Sequence, residues 1–198
     1  PNLADKEGIP PLHIAITTGN LAATKLLIDK KANINKPDEF GDTPLHKAVN
    51  SIDIFKYLLE SGANPNVRNN FGIAPLHICY HESQFIDLLK QHNANLNIKD
   101  SIGRTILHDA VQEGNNCQIE QFIKAGLDVN ATDNYNQSPA FLTKNLDTLK
   151  LLIKNGANPN IQDIQGDSIL HKVAKSKNHE LYNFLLKHGA NKYLKNAK

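Results

Sequence analysis

A four-residue phrase returns six times along the 198 residues of the chain. Thr43-Pro44-Leu45-His46 is its fullest form. The other copies are Pro10-Pro11-Leu12-His13, Ala74-Pro75-Leu76-His77, Thr105-Ile106-Leu107-His108, Ser138-Pro139-Ala140-Phe141 and Ser168-Ile169-Leu170-His171. Two places before each stands a marker residue (Gly8, Gly41, Gly72, Gly103, Asn136, Gly166), at intervals of 33, 31, 31, 33 and 30. A fixed period in this range means that one supersecondary unit is stacked on the next, with no single closed core.

The phrase reads as a helix start. Thr43, Thr105, Ser138 and Ser168 are hydroxyl residues placed to accept a hydrogen bond from an early helix amide, and Pro44, Pro75 and Pro139 follow where no amide is missed. Small or apolar pairs such as Ala48-Val49 and Ala110-Val111 come next. After a break, a second helix carries apolar residues at helical spacing, for example Ile54, Phe55, Leu58 and Leu59. It closes at Gly62, Gly126, Gly156 or Gly189, residues free to turn left-handed, and runs into turn segments such as Ala63-Asn64-Pro65-Asn66.

Helix, turn, helix and projecting loop at about 33 residues, opened by Thr-Pro-Leu-His, resembles the ankyrin repeat over the whole chain. Asp5, Asp38, Asp100, Asp133 and Asp163 add to the likeness, each three places before its marker. The expected fold is an all-α solenoid of helix-turn-helix units with projecting β-hairpin-like loops. It forms a single domain with units at 5–37, 38–68, 69–99, 100–132, 133–162 and 163–195 and a partial repeat at 1–4. The resemblance implies that His13, His46, His77, His108 and His171 are structural, each imidazole bracing a neighbouring loop, with Thr43 and Thr105 as their helix-start partners.

Two departures stand out. From the phrase-ending residue to the one closing the second helix, three units keep 18 residues (His13 to Lys31, His108 to Gly126, His171 to Gly189), while His46 to Gly62 and His77 to Asn93 span 16 and Phe141 to Gly156 spans 15. The missing residues are assigned to the turn between the helices. In the fifth unit Phe141 replaces the His and Asn136 replaces the Gly, so this unit is expected to fray first.

Composition excludes several function classes. A net charge of +2 argues against a dedicated nucleic-acid binder, and no apolar run is long enough to cross a membrane. Cys79 and Cys117 lie in different units and imply no disulfide framework, so a cytoplasmic setting is expected. Lysine outnumbers arginine 20 to 2, as AT-rich codons favour. Host-directed ankyrin proteins are frequent in such genomes, so secretion into a host-cell cytosol is a further expectation. The opening Pro1-Asn2-Leu3-Ala4-Asp5 aligns with Pro159-Asn160-Ile161-Gln162-Asp163, and a piece of a longer protein is inferred from it.

No catalytic, cofactor or metal site is expected. Five of the nine histidines are used by the phrase, and Ser168 with His171 repeats a helix start rather than pairing a nucleophile with its base. His77, Cys79 and His81 invite a metal reading, but His77 is occupied by the phrase and Cys79 stands where other units place core alanines.

Partner recognition falls to the positions that vary while the frame holds. Just before the marker stand Glu7, Phe40, Phe71, Ile102, Tyr135 and Gln165, apolar in the middle four units. Ile73 and Arg104 follow two markers, and Ile78 and Leu142 sit on inner helices. In ankyrin repeats these loops and helices line a concave face, so the expected function is protein binding by a monomer, with a host-cell protein as a candidate partner. The alternatives are the recruiting domain of a larger effector enzyme and an architectural spacer. The end of the chain, with seven lysines against one acid from Lys172 on, reads as a solvated cap or as a patch for an acidic partner.

Overall fold

The computed structural model describes residues 1–6, 8–176 and 178–197. They are nearly all helix and turn. Six helix pairs follow in chain order: α1 (Pro11–Thr17) with α2 (Leu21–Asp29), α3 (Pro44–Lys47) with α4 (Ile52–Glu60), α5 (Pro75–Cys79) with α6 (Ser83–Gln91), α7 (Ile106–Glu113) with α8 (Asn116–Ala125), α9 (Pro139–Leu142) with α10 (Leu146–Lys154), and α11 (Ile169–Lys175) with α12 (His179–Lys187). Among the described residues the only bridge of β type joins Gln162 and Ser168, across the base of the last repeat's projecting loop. This is the all-α repeat architecture expected from the phrase.

The chain forms two compact units, residues 1–101 and 102–198. In the first, α3 packs between α1 and α5 while α4 packs between α2 and α6. Leu12, Leu45 and Leu76 supply the same inner position of successive repeats, all about 1% exposed. Behind them Phe55 and Phe85 meet edge to face at 4.9 Å, and Ile54, Leu58 and Leu89 are fully buried. Each such side chain contributes roughly 1.5–3 kcal/mol by leaving water. In the second unit α9 packs between α7 and α11, and α8 packs on α10, around Ile106, Leu107, Ile119, Phe122 and Leu149.

Asparagines join consecutive loops. The Asn64 amide donates to Asn35 Oδ1 (2.8 Å) and the Asn95 amide to Asn66 Oδ1 (2.7 Å). In the second unit the amides of Asn158 and Asn191 donate to Asn130 and Asn160 in the same way (2.8 and 2.7 Å). Asn130 and Asn160 also donate, to the carbonyls of Gly156 and Gly189, each at 2.9 Å. One amide side chain thus satisfies backbone groups on the far side of a loop that has no strand partner.

Two of the three shortened units differ from expectation. In the third and fifth repeats the missing residues come out of the inner helix: α1, α7 and α11 hold 7, 8 and 7 residues, whereas α5 and α9 hold 5 and 4. In the second repeat they come out of the turn between the helices, as expected. After α3 a short 3-10 turn, Ala48–Asn50, runs straight into the Ser51 cap of α4. The outer helices stay between 9 and 10 residues long. Outer helices carry the largest buried side chains, so length is removed where less apolar area is lost.

Candidate binding surface

Four of the projecting loops are tight turns, each stapled by its acid or amide. Asp38 Oδ1 accepts the amides of Phe40 (3.0 Å) and Asp42 (2.9 Å). Asn69, Asp133 and Asp163 do the same for Phe71 and Ile73, Tyr135 and Gln137, and Gln165 and Asp167. Successive turns then bond through the backbone: Asn70 N–H to Phe40 O (3.0 Å) in the first unit, and Asn134 N–H to Ile102 O and Ile164 N–H to Tyr135 O (both 2.9 Å) in the second. The contact leaves no space at the marker, where a Cβ on Gly41 would lie 2.7 Å from the Asn70 amide nitrogen and one on Gly103 2.6 Å from that of Asn134. Both glycines also have positive φ, so the residue type is imposed twice.

With the backbone held, the side chain before the marker points out. Phe40, Phe71, Ile102 and Tyr135 are 50, 62, 41 and 51% exposed. Ile78 on α5 is exposed as well, while Ile73, Arg104 and Leu142 are half-buried. Arg104 is engaged within its own unit: its guanidinium donates to Gln112 Oε1 (2.9 Å), and its Nε lies 3.8 Å from the fully buried Asp133 carboxylate. Ile73 gives its carbonyl to His46. Ile164, 64% exposed and bonded through its amide to the Tyr135 carbonyl, was not among the expected contact residues. Its signal was readable, since the same place is polar in the four preceding units (Glu39, Asn70, Ser101, Asn134).

Charge is fixed beside these tips. Lys47 on α3 reaches Asp42 (2.6 Å) and Asp38 (3.0 Å), and Asn69 donates to the other Asp42 oxygen (2.7 Å). Burial alone would raise the Asp42 carboxyl, but the hydrogen bonds from Lys47 and Asn69 outweigh it and hold it below the usual carboxylate range. Asp167 repeats the arrangement with Lys175 and Asn196, and those two hydrogen bonds lower its pKa. Phe40, Lys47, Ile9, Ile14 and Thr17 line a groove of about 200 Å³ in the first unit.

The phrase histidines are built into the frame. The amides of Thr43, Thr105 and Ser168 donate to the Nδ1 of His46, His108 and His171 at 3.0–3.1 Å, and their hydroxyls lie 2.8–2.9 Å from the same nitrogen. The hydroxyl therefore shares its partner histidine with its own backbone, the returning half of a capping box. His77 Nδ1 accepts the Ala74 amide at 3.1 Å. Since an amide can only donate, Nε2 carries the ring proton and gives it to the next loop: His46 to Ile73 O (2.9 Å) and His108 to Gln137 O (3.1 Å). His13 gives it to Lys36 O (2.9 Å). Its Nδ1 is buried without a hydrogen-bond partner, because Pro10 has neither amide hydrogen nor hydroxyl.

Ser168 and His171 illustrate what this geometry does chemically. Ser168 is 1% exposed, and the lone pair that would take its proton already receives the Ser168 amide. Burial pushes the Cys79 thiol up to about 12, which keeps it protonated at neutral pH. Among the described residues no group of three His, Cys, Asp or Glu side chains is placed to hold a metal, and no helix is long and apolar enough to cross a membrane.

Comparison with known proteins agrees with this geometry. Profiles described as ankyrin repeats match residues 1–69 and 51–133 (three copies) and 140–186 (many copies). An ankyrin repeat-containing protein of Schizosaccharomyces pombe is 40% identical over 45 residues, 23% of this chain and 22% of that one. A putative ankyrin repeat protein of Rickettsia bellii is 49% identical over 41 residues (21% and 17%), and human protein phosphatase 1 regulatory subunit 27 is 44% identical over 52 (25% and 34%). The matched stretch thus spans about a third or less of each of these relatives. The ankyrin repeat domain of Bcl-3, a member of the IkappaB protein family, superposes with a TM-score of 0.84 at 28% identity, over 97% of this chain and 91% of that one. An ankyrin repeat domain from Acinetobacter baumannii gives 0.79 at 27%, over 91% and 98%. The repeated phrase, the stapled turns and the profile matches over most of its length together place this chain in the ankyrin-repeat family.

Proposed function

We propose that the chain binds a protein partner through its loop tips, Phe40 and Phe71 in the first unit and Ile102, Tyr135 and Ile164 in the second, with Ile78 and Leu142 on the inner helices adding to the contact. The supporting observation is that large apolar side chains stand exposed on backbone that is already hydrogen-bonded at both ends of each turn. Such side chains lose little freedom on docking, and aromatic anchors dominate interface energy. Ile73 in the first unit and Arg104 in the second act as supports, Arg104 holding the turn that carries Tyr135.

The phosphatase regulatory subunit among the similar proteins favours a binding role over catalysis, and the lysine bias favours a host cytosolic protein as the partner. The chain acts as a monomer in this reading. Pull-down from host cytosol with quantitative mass spectrometry tests it, comparing the chain with a Phe71→Asp, Tyr135→Asp variant of unchanged helical spectrum. A partner captured by the parent and lost in the variant is expected. If the captured protein is also modified, the recruiting domain of an effector enzyme replaces the simple binder. If neither form captures anything, the spacer does.

A further inference from the structure

The fifth repeat leaves a gap. Its inner helix α9 stops at Leu142 and Thr143 turns extended, whereas α11 of the sixth repeat continues to Lys175. The last turn of α11 therefore faces Thr143 and Lys144 instead of another helical turn. Between them lies a pocket of about 220 Å³ lined by Thr143, Lys144, Lys172, Ser176, Asn178 and the apolar side of Val173 and Leu181.

The lining is one-sided in charge. Lys144 and Lys172 are both cations, and no carboxylate lines the pocket among the described residues. Lys172 is half-buried, and its ammonium donates to the Phe141 carbonyl and lies 5.0 Å from the centre of the Phe141 ring. Among the described residues it has no ion pair. Burial, and then the neighbouring Lys144, push its pKa below the usual lysine value, which is the direction that an uncompensated cation takes. Of the acids on adjoining elements, Asp147 lies 3.7 Å from Lys150, Asp167 is held by Lys175 and Asn196, and Glu180, in the first turn of α12, does not line the pocket. Asn178 uses its side-chain oxygen to cap α12, accepting the Leu181 amide at 3.1 Å, so its NH₂ is left to donate.

We propose that this pocket is an anion site for a phosphate monoester carried on a serine or threonine side chain of a bound polypeptide. Two ammonium groups and an amide donor around one small hollow match a group of charge near −2 with three terminal oxygens. A carboxylate offers two oxygens and a single charge, which would leave one lysine unpaired. The preference for a dianion stands on the pocket alone. That a polypeptide carries it rests on the binding role proposed above.

Titration with inorganic phosphate at fixed ionic strength, followed by NMR of lysine side chains labelled at Cε, tests the first part. Lys144 and Lys172 are expected to shift saturably while Lys150 does not, and acetate is expected to produce no saturable shift. Lys144→Gln, an exposed change with no fold to disturb, should weaken phosphate about tenfold, and Lys172→Gln should do the same where Lys172→Arg retains binding. Shifts that grow linearly, or that appear equally on every lysine, would overturn the site. A short alanine-flanked phosphoserine peptide, compared with its serine and glutamate counterparts, tests the second part. The phosphoserine form should bind more tightly than inorganic phosphate. Equal binding of the glutamate form would overturn the dianion preference. A phosphoserine form no tighter than free phosphate would overturn the polypeptide carrier while leaving the pocket as a phosphate site, whatever the loop tips bind.

Discussion

The imidazole of His46 spans two repeats, taking the Thr43 amide on Nδ1 at 3.0 Å and giving its Nε2 proton to the Ile73 carbonyl at 2.9 Å. Only the neutral ring can do both. Burial accordingly lowers the pKa of His46, against the raising effect of the Ile73 carbonyl. A folded pKa below the unfolded value of about 6.5 means that the unfolded chain binds more protons in that range. The stability that His46 contributes is then complete above about pH 6.5 and is lost as pH falls from there through the folded pKa. Urea midpoints measured at pH 7.5 and 5.5 should show the loss, and His46→Ala should reduce it while costing about 2 kcal/mol at pH 7.5.

His13 is the contrasting case. Its Nδ1 has no donor, and Asp38 Oδ2 lies 4.0 Å away, with Asp42 and Lys47 close by. Burial lowers its pKa as well, followed by the opposing effects of the Lys36 carbonyl and Asp38. Pro10→Thr would restore the amide and hydroxyl that serve His46. NMR titration should find the His13 pKa lower in this variant than in the parent, whatever the small change in stability from losing a proline.

Lys31 closes α2 at φ +66°, where four other outer helices end on glycine. A side chain there costs about 1 kcal/mol. Lys31→Gly is expected to raise stability by about 0.5–1 kcal/mol in urea unfolding, since Lys31 is exposed and its carbonyl contact to Asn2 survives.

The fifth repeat combines a four-residue inner helix with the loss of the histidine brace, Phe141 being packed at 7% exposure in its place. Its α9 amides should exchange with deuterium faster than those of α7 and α11. Slower exchange in α9 than in both would contradict this.

Much of this was legible in sequence because repetition turns one ambiguous signal into six. The phrase, its spacing and the closing glycines located every helix pair, and Asn136 was readable as a glycine substitute, which its φ of +58° bears out. The inner-helix truncation was not legible. Periodicity in a helix of four or five residues is too short to separate from a turn, so in the third and fifth repeats the deletion reads in sequence as a shorter turn. Nor was the inward commitment of Arg104, because its link to Asp133 is set by how successive loops pack, and spacing along the chain says nothing of that. Ile164 was legible for the opposite reason, as the single apolar residue in a column that is polar in the four preceding units.

The asparagine bonds between loops also bear on how such a chain changes length. Asn35 meets Asn64 just as Asn66 meets Asn95, donor and acceptor falling at the same places in each period. A recombination event that removes or duplicates one whole period leaves every amide opposite an oxygen, while one that cuts mid-period leaves loops with nothing to bond. The repeat is thus a unit of bonding as well as of packing, and gain or loss of a whole unit keeps these loop-to-loop bonds in step.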